Sequence, residues 1–297
     1  MLLLLPLLVL PLPGHAADDR APWAGEILDA GSRLEVGSET RGDLLRAGVS
    51  GVIAYPFPDV AAALSVPRNW CEIAPLSMNI KACTQQAEGQ EGTLTLYAGR
   101  KVYQPPEDAY RIDYRFYIAE NAPDRLWLFL FAAEGPMGTS DYRIEMEAVP
   151  EGDGTRLHIS SSYRSSLLSR IATSGYLATL GRNKVGFSHE EETAGEEPAL
   201  VGGVRGVIER NAMRYFLALR AFLENQHLAG KERFEACLET WYDLTERYPR
   251  QLHEMEKEEY FQAKLRERKQ QQRLQSLLDD RIRETITAAL RPATSVD

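Results

Sequence analysis

Alternation of apolar and polar residues dominates the middle of the chain. On either side of the turn PEGDG, one set of alternate positions is mostly apolar: Tyr142, Ile144, Met146 and Ala148 before the turn, and Leu157, Ile159 and Tyr163 after it. The intervening positions carry mostly Arg, Glu, His and Ser. Because successive side chains on a strand point to opposite faces, this pattern predicts a β-hairpin with one buried face.

Four further segments before this hairpin have strand patterns and are separated by short turns. They are NIKACTQQ, GTLTLYAGRKVY, DAYRIDYRFYIAE and RLWLFLFAAEG. In the third, every second residue from Tyr110 to Ile118 is apolar or aromatic. In the fourth, LWLFLF is apolar throughout, which predicts a strand in the middle of a sheet that is covered on both faces. Consecutive strands joined by short turns predict an antiparallel meander.

The segment before the meander, DLLRAGVSGVIAYPFPDVAAALSVPRNWCEIAP, predicts one strand and two short helices. We expect the strand to end at Phe57. The first helix then opens with Pro58 and Asp59, and the second lies around Pro67 to Trp70. Proline and acidic residues are favoured in the first turn of a helix, which places both starts.

After the hairpin the apolar period changes from two to between three and four. In VRGVIERNAMRYFLALRAFLENQHL the repeating apolar positions are Val204, Ile208, Ala212, Tyr215, Leu219 and Phe222. This spacing places one stripe on a single face of a long helix. The stripe is broad enough to lie along a sheet.

The last part of the chain, residues 229–297, is highly charged and prone to form helix, with an interruption at Pro249. Its apolar residues are spaced too irregularly for a heptad coiled coil. We therefore expect a charged helical extension that packs on the preceding domain or on a partner. The helices of this extension are also candidates for binding a protein partner or for self-association.

The N-terminal residues 1–16, MLLLLPLLVLPLPGHA, form an apolar run that is too short to cross a bilayer, which takes ~20 residues. Gly14 and Ala16 are small residues at the positions that signal peptidase requires before a cut at Ala17. We expect a cleaved secretory signal and a periplasmic or secreted protein. No Lys or Arg precedes the run, so an uncleaved anchor or a misassigned start is the alternative. The polar residues 17–42 predict a linker.

Composition narrows the class of protein. Of the 297 residues, 44% are apolar and 26% are charged, which is the ordinary mix of a globular protein. The formal net charge of -9 argues against nucleic acid as a partner, because that partner requires a basic face. Cys71 and Cys83 lie close together and could form a disulfide in an oxidising compartment, whereas Cys237 lies far away. Three small buried thiols are the alternative.

The search for reactive groups yields no catalytic residue, metal site or cofactor. The histidines show no metal-binding motif. His253 and Glu256 lie one helical turn apart, close enough to contact a metal ion, but we interpret the pair as incidental because the stretch is acidic and solvated. The nucleophile elbow G-x-S-x-G is absent. The stretch VGGVRG lacks the lysine of a phosphate-binding loop, so we interpret it as a turn that enters a helix.

The order of elements resembles a known superfamily. The opening GVIAYPFPDVAAALSVPRNWCEIAPL, the strand GTSDYRIEMEAV and the helix GVIERNAMRYFLALRAFLE are similar to the START-like (SRPBCC) helix-grip superfamily of lipid-transfer domains and polyketide cyclases. The resemblance covers residues 43–228 and implies an α+β fold, in which a curved antiparallel sheet wraps around a long C-terminal helix. Two features depart from the family pattern: the segment 167–203 and the charged extension.

The resemblance also implies an apolar cavity between the sheet and the long helix. The candidate ligand-binding residues are Trp70, Tyr114, Phe116, Trp127, Tyr142, Ile144, Tyr163, Tyr215 and Leu219, and the polar candidates at the rim are Arg68, Asn69 and Arg164. The expected function is transport or sensing of a hydrophobic small molecule or lipid. An enzyme of the cyclase or hydratase type in the same cavity is the alternative, as is an envelope interaction module that acts through the helical extension.

Overall fold

One antiparallel sheet forms the frame of the molecule. The computed structural model of the chain describes residues 25–29, 32–88, 91–178, 183–190 and 199–289, so the predicted signal lies outside the described residues. The strands are β1 Gly25–Asp29, β2 Ser32–Arg41, β3 Leu44–Ile53, β4 Ile80–Glu88, β5 Glu91–Ala98, β6 Tyr110–Ala122, β7 Arg125–Glu134, β8 Ser140–Glu151 and β9 Gly154–Arg164. These nine strands are ordered β1-β2-β3-β9-β8-β7-β6-β5-β4 in the sheet.

The helices lie in two groups along the chain. They are α1 Phe57–Leu64, α2 Pro67–Ile73, α3 Leu167–Ala178, α4 Gly203–Glu224, α5 Gly230–Thr245, α6 Pro249–Leu252 and α7 Lys257–Ala289. Short 3₁₀ helices lie at Ala74–Leu76, Pro106–Asp108 and Pro136–Gly138. The predicted α+β fold is confirmed, because the meander from β4 to β9 follows two short helices and precedes the long helix α4.

The hairpin predicted from the alternating pattern consists of β8 and β9. Met146 pairs with Ile159 and Ala148 pairs with Leu157, and all four side chains are buried. The apolar set therefore faces the interior, as the period of two requires.

The strand β7 is covered less completely than its apolar sequence predicts. Leu128 and Leu130 are buried, whereas Trp127 lies half-buried on the outer face and Phe131 is 45% exposed. On the outer face, guanidinium groups lie over the aromatic rings, with Arg125 at 4.7 Å from the ring centroid of Trp127. Cation–π contacts of this kind shield a ring without burying it.

The predicted linker is in part a piece of the sheet. Residues 25–29 and 32–41 form β1 and β2, and Leu34 and Val36 are fully buried. The segment contains several Gly, Ser and Glu residues, which have low β propensity, so its sequence pattern did not predict a strand. Pairing with β3, in which Val36 lies opposite Val49, supplies the order that the local sequence does not.

The junction between the first strand of the predicted domain and the first helix is shifted from its expected position. The strand β3 ends at Ile53 rather than at Phe57, and Phe57 is the first residue of α1. Pro58 and Asp59 lie in the first turn of α1, as predicted. Phe57 is buried, so its apolar character reflects the core-facing side of the helix and not a continuing strand.

The long helix α4 packs against the inner face of β2, β3 and β9. Ile208, Ala212 and Leu219, which belong to the predicted stripe, are buried. Gly51 in β3 allows the close approach of the helix, since a Cβ atom there would lie 3.3 Å from Phe216 Cζ and 2.3 Å from Leu34 Cδ2. The helix expected to be gripped by the sheet is thus α4.

The C-terminal extension is helical, and its longest helix, α7, packs along the edge strand β4. Two buried lysines bind one buried carboxylate at this contact: Lys81 Nζ lies 2.9 Å from Glu267 Oε1, and Lys264 Nζ lies 2.8 Å from Glu267 Oε2. Gln271 adds hydrogen bonds to the backbone of β4 and α2. None of the helices in the described part of the chain combines the length and the hydropathy that a membrane span requires.

Candidate ligand-binding cavity

A cavity of about 210 Å³ lies between α4 and the sheet. Four residues of α4 border it: Ile208, Asn211, Tyr215 and Leu219. Their spacing of three and four places them on one face of the helix. The face that the sequence pattern predicted to be buried therefore covers a cavity over part of its length and a packed core elsewhere.

The sheet supplies the opposite wall through strands β4 to β9. The lining residues from these strands are Ile80, Leu94, Leu96, Ala98, Ile112, Tyr114, Leu130, Tyr142, Arg143, Ile144, Ile159, Ser161, Ser162 and Tyr163. Nearly all of them occupy alternate positions that point inward. The second short helix and the turn after it close one side with Trp70, Ile73 and Ala74.

Four tyrosines form a cluster in this lining. The rings of Tyr142 and Tyr163 are stacked, with centroids 5.1 Å apart, and Tyr114 meets Tyr142 edge to face at 6.4 Å. The Tyr142 hydroxyl lies 2.7 Å from Thr139 Oγ1. Since Thr139 Oγ1 donates to the Pro136 carbonyl, Tyr142 donates to Thr139. Tyr215 completes the cluster from α4.

Burial raises the pKa of each tyrosine in the cluster. The pKa of the Tyr114 hydroxyl is well above its usual value because the group is removed from water, with smaller contributions from the hydroxyls of Tyr215 and Tyr142. Burial raises the pKa of Tyr163 to about 12. The pKa of Tyr215 is also raised by burial, although Arg214 and Asn79 oppose the shift. All of these phenols keep their protons at neutral pH.

Most of the predicted cavity residues border the cavity. Trp70, Tyr114, Tyr142, Ile144, Tyr163, Tyr215 and Leu219 all belong to the lining. Two candidates do not. Phe116 points inward but is fully buried in the core, where its ring centroid lies 6.2 Å from that of Trp70. Trp127 lies on the outer face, where its indole N–H donates to Glu145 Oε1 at 2.8 Å.

None of the three predicted rim residues borders the cavity. Arg68 is exposed on α2, and the amide of Asn69 donates to the Ala63 carbonyl at 2.7 Å. Arg164 forms ion pairs with Asp43 at 2.7 Å and Asp141 at 3.1 Å. Asn69 and Arg164 are engaged in contacts with other parts of the protein, which the family layout alone did not reveal.

Sequence reasoning missed several polar lining residues, of which Asn211 and Ser161 were detectable. Asn211 lies on the same helical stripe as Ile208 and Tyr215, and Ser161 lies between Ile159 and Tyr163 in the alternating pattern. Their periodic positions indicated that both residues face inward, but only apolar and aromatic residues had been considered as lining candidates. Asn79 and Ser162 had no comparable periodic signal.

The structure pairs Cys71 with Cys83 in a disulfide, with their Cα atoms 4.9 Å apart, and leaves Cys237 as a buried free thiol. The disulfide joins α2 to the edge strand β4. Trp70 and Ile80, which flank this link, both border the cavity, so the disulfide holds one of its walls.

Apart from Arg143, the polar side chains that line the cavity are neutral. No His, Asp, Glu or Lys is among the lining residues that the structure describes. Over the described ranges, no group of three or more His, Cys, Asp or Glu side chains is placed to hold a metal ion. With raised pKa values, the tyrosines can donate hydrogen bonds but are poor general bases at neutral pH.

Comparison with known proteins yields similarity in structure only. No family model matches the chain, and no curated protein matches it in sequence. A STAR-related lipid transfer protein from Xanthomonas axonopodis is 12% identical, with a TM-score of 0.43, and the match covers 69% of this chain and 99% of that one.

Two further solved structures are similar at lower TM-scores. An aromatase/cyclase from a Streptomyces species is 13% identical over 69% of this chain and 94% of its own, with a TM-score of 0.32. A protein from Thermus thermophilus is 18% identical over 47% of this chain and 84% of its own, with a TM-score of 0.34. The element order of the chain itself, an antiparallel sheet wrapped against the long helix α4, is that of a START-like helix-grip fold.

Proposed function

We propose that this protein binds a hydrophobic small molecule in the cavity between α4 and the sheet, and that it carries or senses this molecule in the periplasm or outside the cell. The observation that carries the proposal is the cavity itself. A concave apolar space with a few convergent polar groups is the usual form of a small-molecule site. Its volume of about 210 Å³ exceeds the roughly 150 Å³ of an apolar cavity that holds benzene.

Two observations support a location outside the cytoplasm. The N-terminal residues 1–16 have the pattern of a secretory signal. The disulfide between Cys71 and Cys83 is of a kind that persists in oxidising compartments and is rare in the cytosol. Expression of the full chain, followed by fractionation and N-terminal sequencing, tests this part of the proposal. A cytoplasmic protein that retains Met1 would contradict it.

Binding is tested by native mass spectrometry of the purified full chain and by organic extraction of any co-purified compound. Ala74→Phe places a large side chain at a lining position, and we expect it to abolish the ligand-bound species. Ala62→Phe introduces the same side chain at an exposed position of α1 and should leave the bound species unchanged. The proposal fails if the wild-type chain carries no ligand, or if both variants bind as the wild type does.

A further inference from the structure

The cavity contains tyrosine hydroxyls without a protein partner. Tyr114 is 4% exposed and lines the cavity, and neither its hydroxyl nor that of Tyr163 forms a hydrogen bond with any residue in the described ranges. Buried polar atoms that have no hydrogen-bond partner and no accessible surface lie elsewhere, for example Gln85 Oε1. Because both side chains border the cavity, their hydroxyls are placed to contact a molecule that occupies it.

These hydroxyls are donors toward whatever occupies the cavity. A phenol both donates and accepts, but the ionised form only accepts. Because burial holds the pKa values of Tyr114 and Tyr163 above the usual range, both groups keep their protons at neutral pH. Each can thus offer one O–H to an acceptor atom of a ligand.

Asn211 adds a donor from α4. The Nη1 group of Arg214 donates to Asn211 Oδ1 at 3.3 Å. A guanidinium group has no acceptor, so this contact fixes the orientation of the amide. The carbonyl oxygen of Asn211 already accepts from Arg214, whereas its NH₂ group has no partner among the described residues and can donate to a ligand. The polar part of the cavity is accordingly rich in donors.

The cavity also lacks a free charge. Arg143 is the one charged residue among the described lining residues, and its guanidinium group is turned to the outer face of the sheet, 4.5 Å from the ring centroid of Phe129 and 3.8 Å from Glu145 Oε2. Arg214 does not border the cavity, and its guanidinium group forms an ion pair with Glu254 at 2.6 Å. An anionic headgroup would enter this space without a counterion, which is costly in an apolar environment.

We propose that the ligand is a neutral apolar molecule with a carbonyl group, such as a ketone or ester, whose oxygen accepts hydrogen bonds from Tyr114 and Tyr163. This proposal rests on the proposed function, since it specifies the ligand class of the same cavity. Neutral donors without a counterion favour an uncharged acceptor over a carboxylate or phosphate. An acceptor also satisfies hydroxyls that a pure hydrocarbon would leave unpaired.

The test uses probes that share one ring system: 2-acetonaphthone, 2-ethylnaphthalene and 2-naphthoate. Isothermal titration calorimetry with the full chain measures each affinity. We expect the ketone to bind about tenfold more tightly than the hydrocarbon, which is the effect of one net buried hydrogen bond. The carboxylate should bind more weakly than both.

Variants then test whether the Tyr114 hydroxyl causes the preference for the ketone over the hydrocarbon. Tyr114→Phe should reduce ketone affinity to the level of the hydrocarbon and leave hydrocarbon affinity unchanged. Tyr117→Phe is the matched control, because Tyr117 lies on the same strand but is 50% exposed on the outer face. Equal binding of ketone and hydrocarbon to the wild type, or a ketone preference that survives in Tyr114→Phe, overturns the proposal while leaving cavity binding intact. If none of the probes binds, the proposed function falls as well.

Discussion

Gln271 in α7 completes the hydrogen bonding of Cys83 on the edge strand β4. The Cys83 N–H donates to Gln271 Oε1 at 2.9 Å, and the amide of the same side chain donates to the Cys71 carbonyl at 3.0 Å. One turn further along α7, Gln275 repeats the arrangement with both backbone groups of Gln85. The helix thus occupies an edge that would otherwise present free donors and acceptors to another chain.

Gln271→Met keeps the length of the side chain and removes both hydrogen bonds. Because a buried unsatisfied backbone group costs about 1–3 kcal/mol, we expect the free energy of unfolding to fall by about 2–4 kcal/mol. Gln272→Met is the matched control, since Gln272 is exposed on the same helix. Urea denaturation of both variants measures the difference, and equal stabilities would show that the edge contacts contribute nothing.

Glu267 holds two buried lysines, so its charge is essential to the contact between α7 and the sheet. The three side chains of Lys81, Lys264 and Glu267 are at most 2% exposed. Glu267→Gln leaves two buried ammonium groups without a counterion, and we expect a loss of about 3–5 kcal/mol in the free energy of unfolding. Glu284→Gln, at an exposed position of α7, should change stability by less than about 0.5 kcal/mol. Chemical denaturation checks both values, and a stable Glu267→Gln variant would contradict the assignment.

Lys264 should make stability depend on alkaline pH. Burial, assisted by the charge of Lys81, lowers its pKa to about 8 in the folded chain, although Glu267 opposes the shift. The usual lysine pKa is about 10.4, so the unfolded chain binds more protons between these two values. The contribution of this group to the free energy of unfolding therefore rises as pH increases through that window, by up to about 3 kcal/mol.

The variant Lys264→Met lacks this contribution. The difference in unfolding free energy between the wild type and this variant should grow in favour of the wild type from about pH 8 to pH 10. Denaturant titrations at each pH measure it. Parallel pH profiles for the two proteins would show that Lys264 does not titrate in this range.

The thiols of the chain should report the disulfide directly. Cys71 and Cys83 are paired and Cys237 is buried. We expect no reaction of the native protein with a thiol reagent, one reactive thiol after unfolding without reductant, and three after reduction. Three thiols without reductant would contradict the pairing. Removal of the disulfide by Cys71→Ala with Cys83→Ala should cost about 3 kcal/mol of stability, given the short loop that it closes.

Local patterns determined most of the fold. The period of two from Tyr142 to Ala148 was enough to predict β8 and its buried face, and the spacing from Ile208 to Leu219 was enough to predict the buried stripe of α4. Both periodicities arise from the backbone geometry of strand and helix, which every residue in the element shares. The strand β2 escaped prediction because its order comes from pairing with β3 and not from its own residues.

Only the tertiary structure decided which inward-facing residues border a cavity and which fill the core. Tyr114 and Phe116 are neighbours on one face of β6, yet the first lines the cavity and the second packs near Trp70. What packs opposite each position decides that difference, and no period in the sequence encodes it. The backbone groups that Lys264 and Gln271 bind on β4 and before it could not be predicted either, since these hydrogen bonds join residues more than 180 positions apart. Such contacts depend on how the whole chain packs, whereas strands and helices depend on residues that are close in sequence.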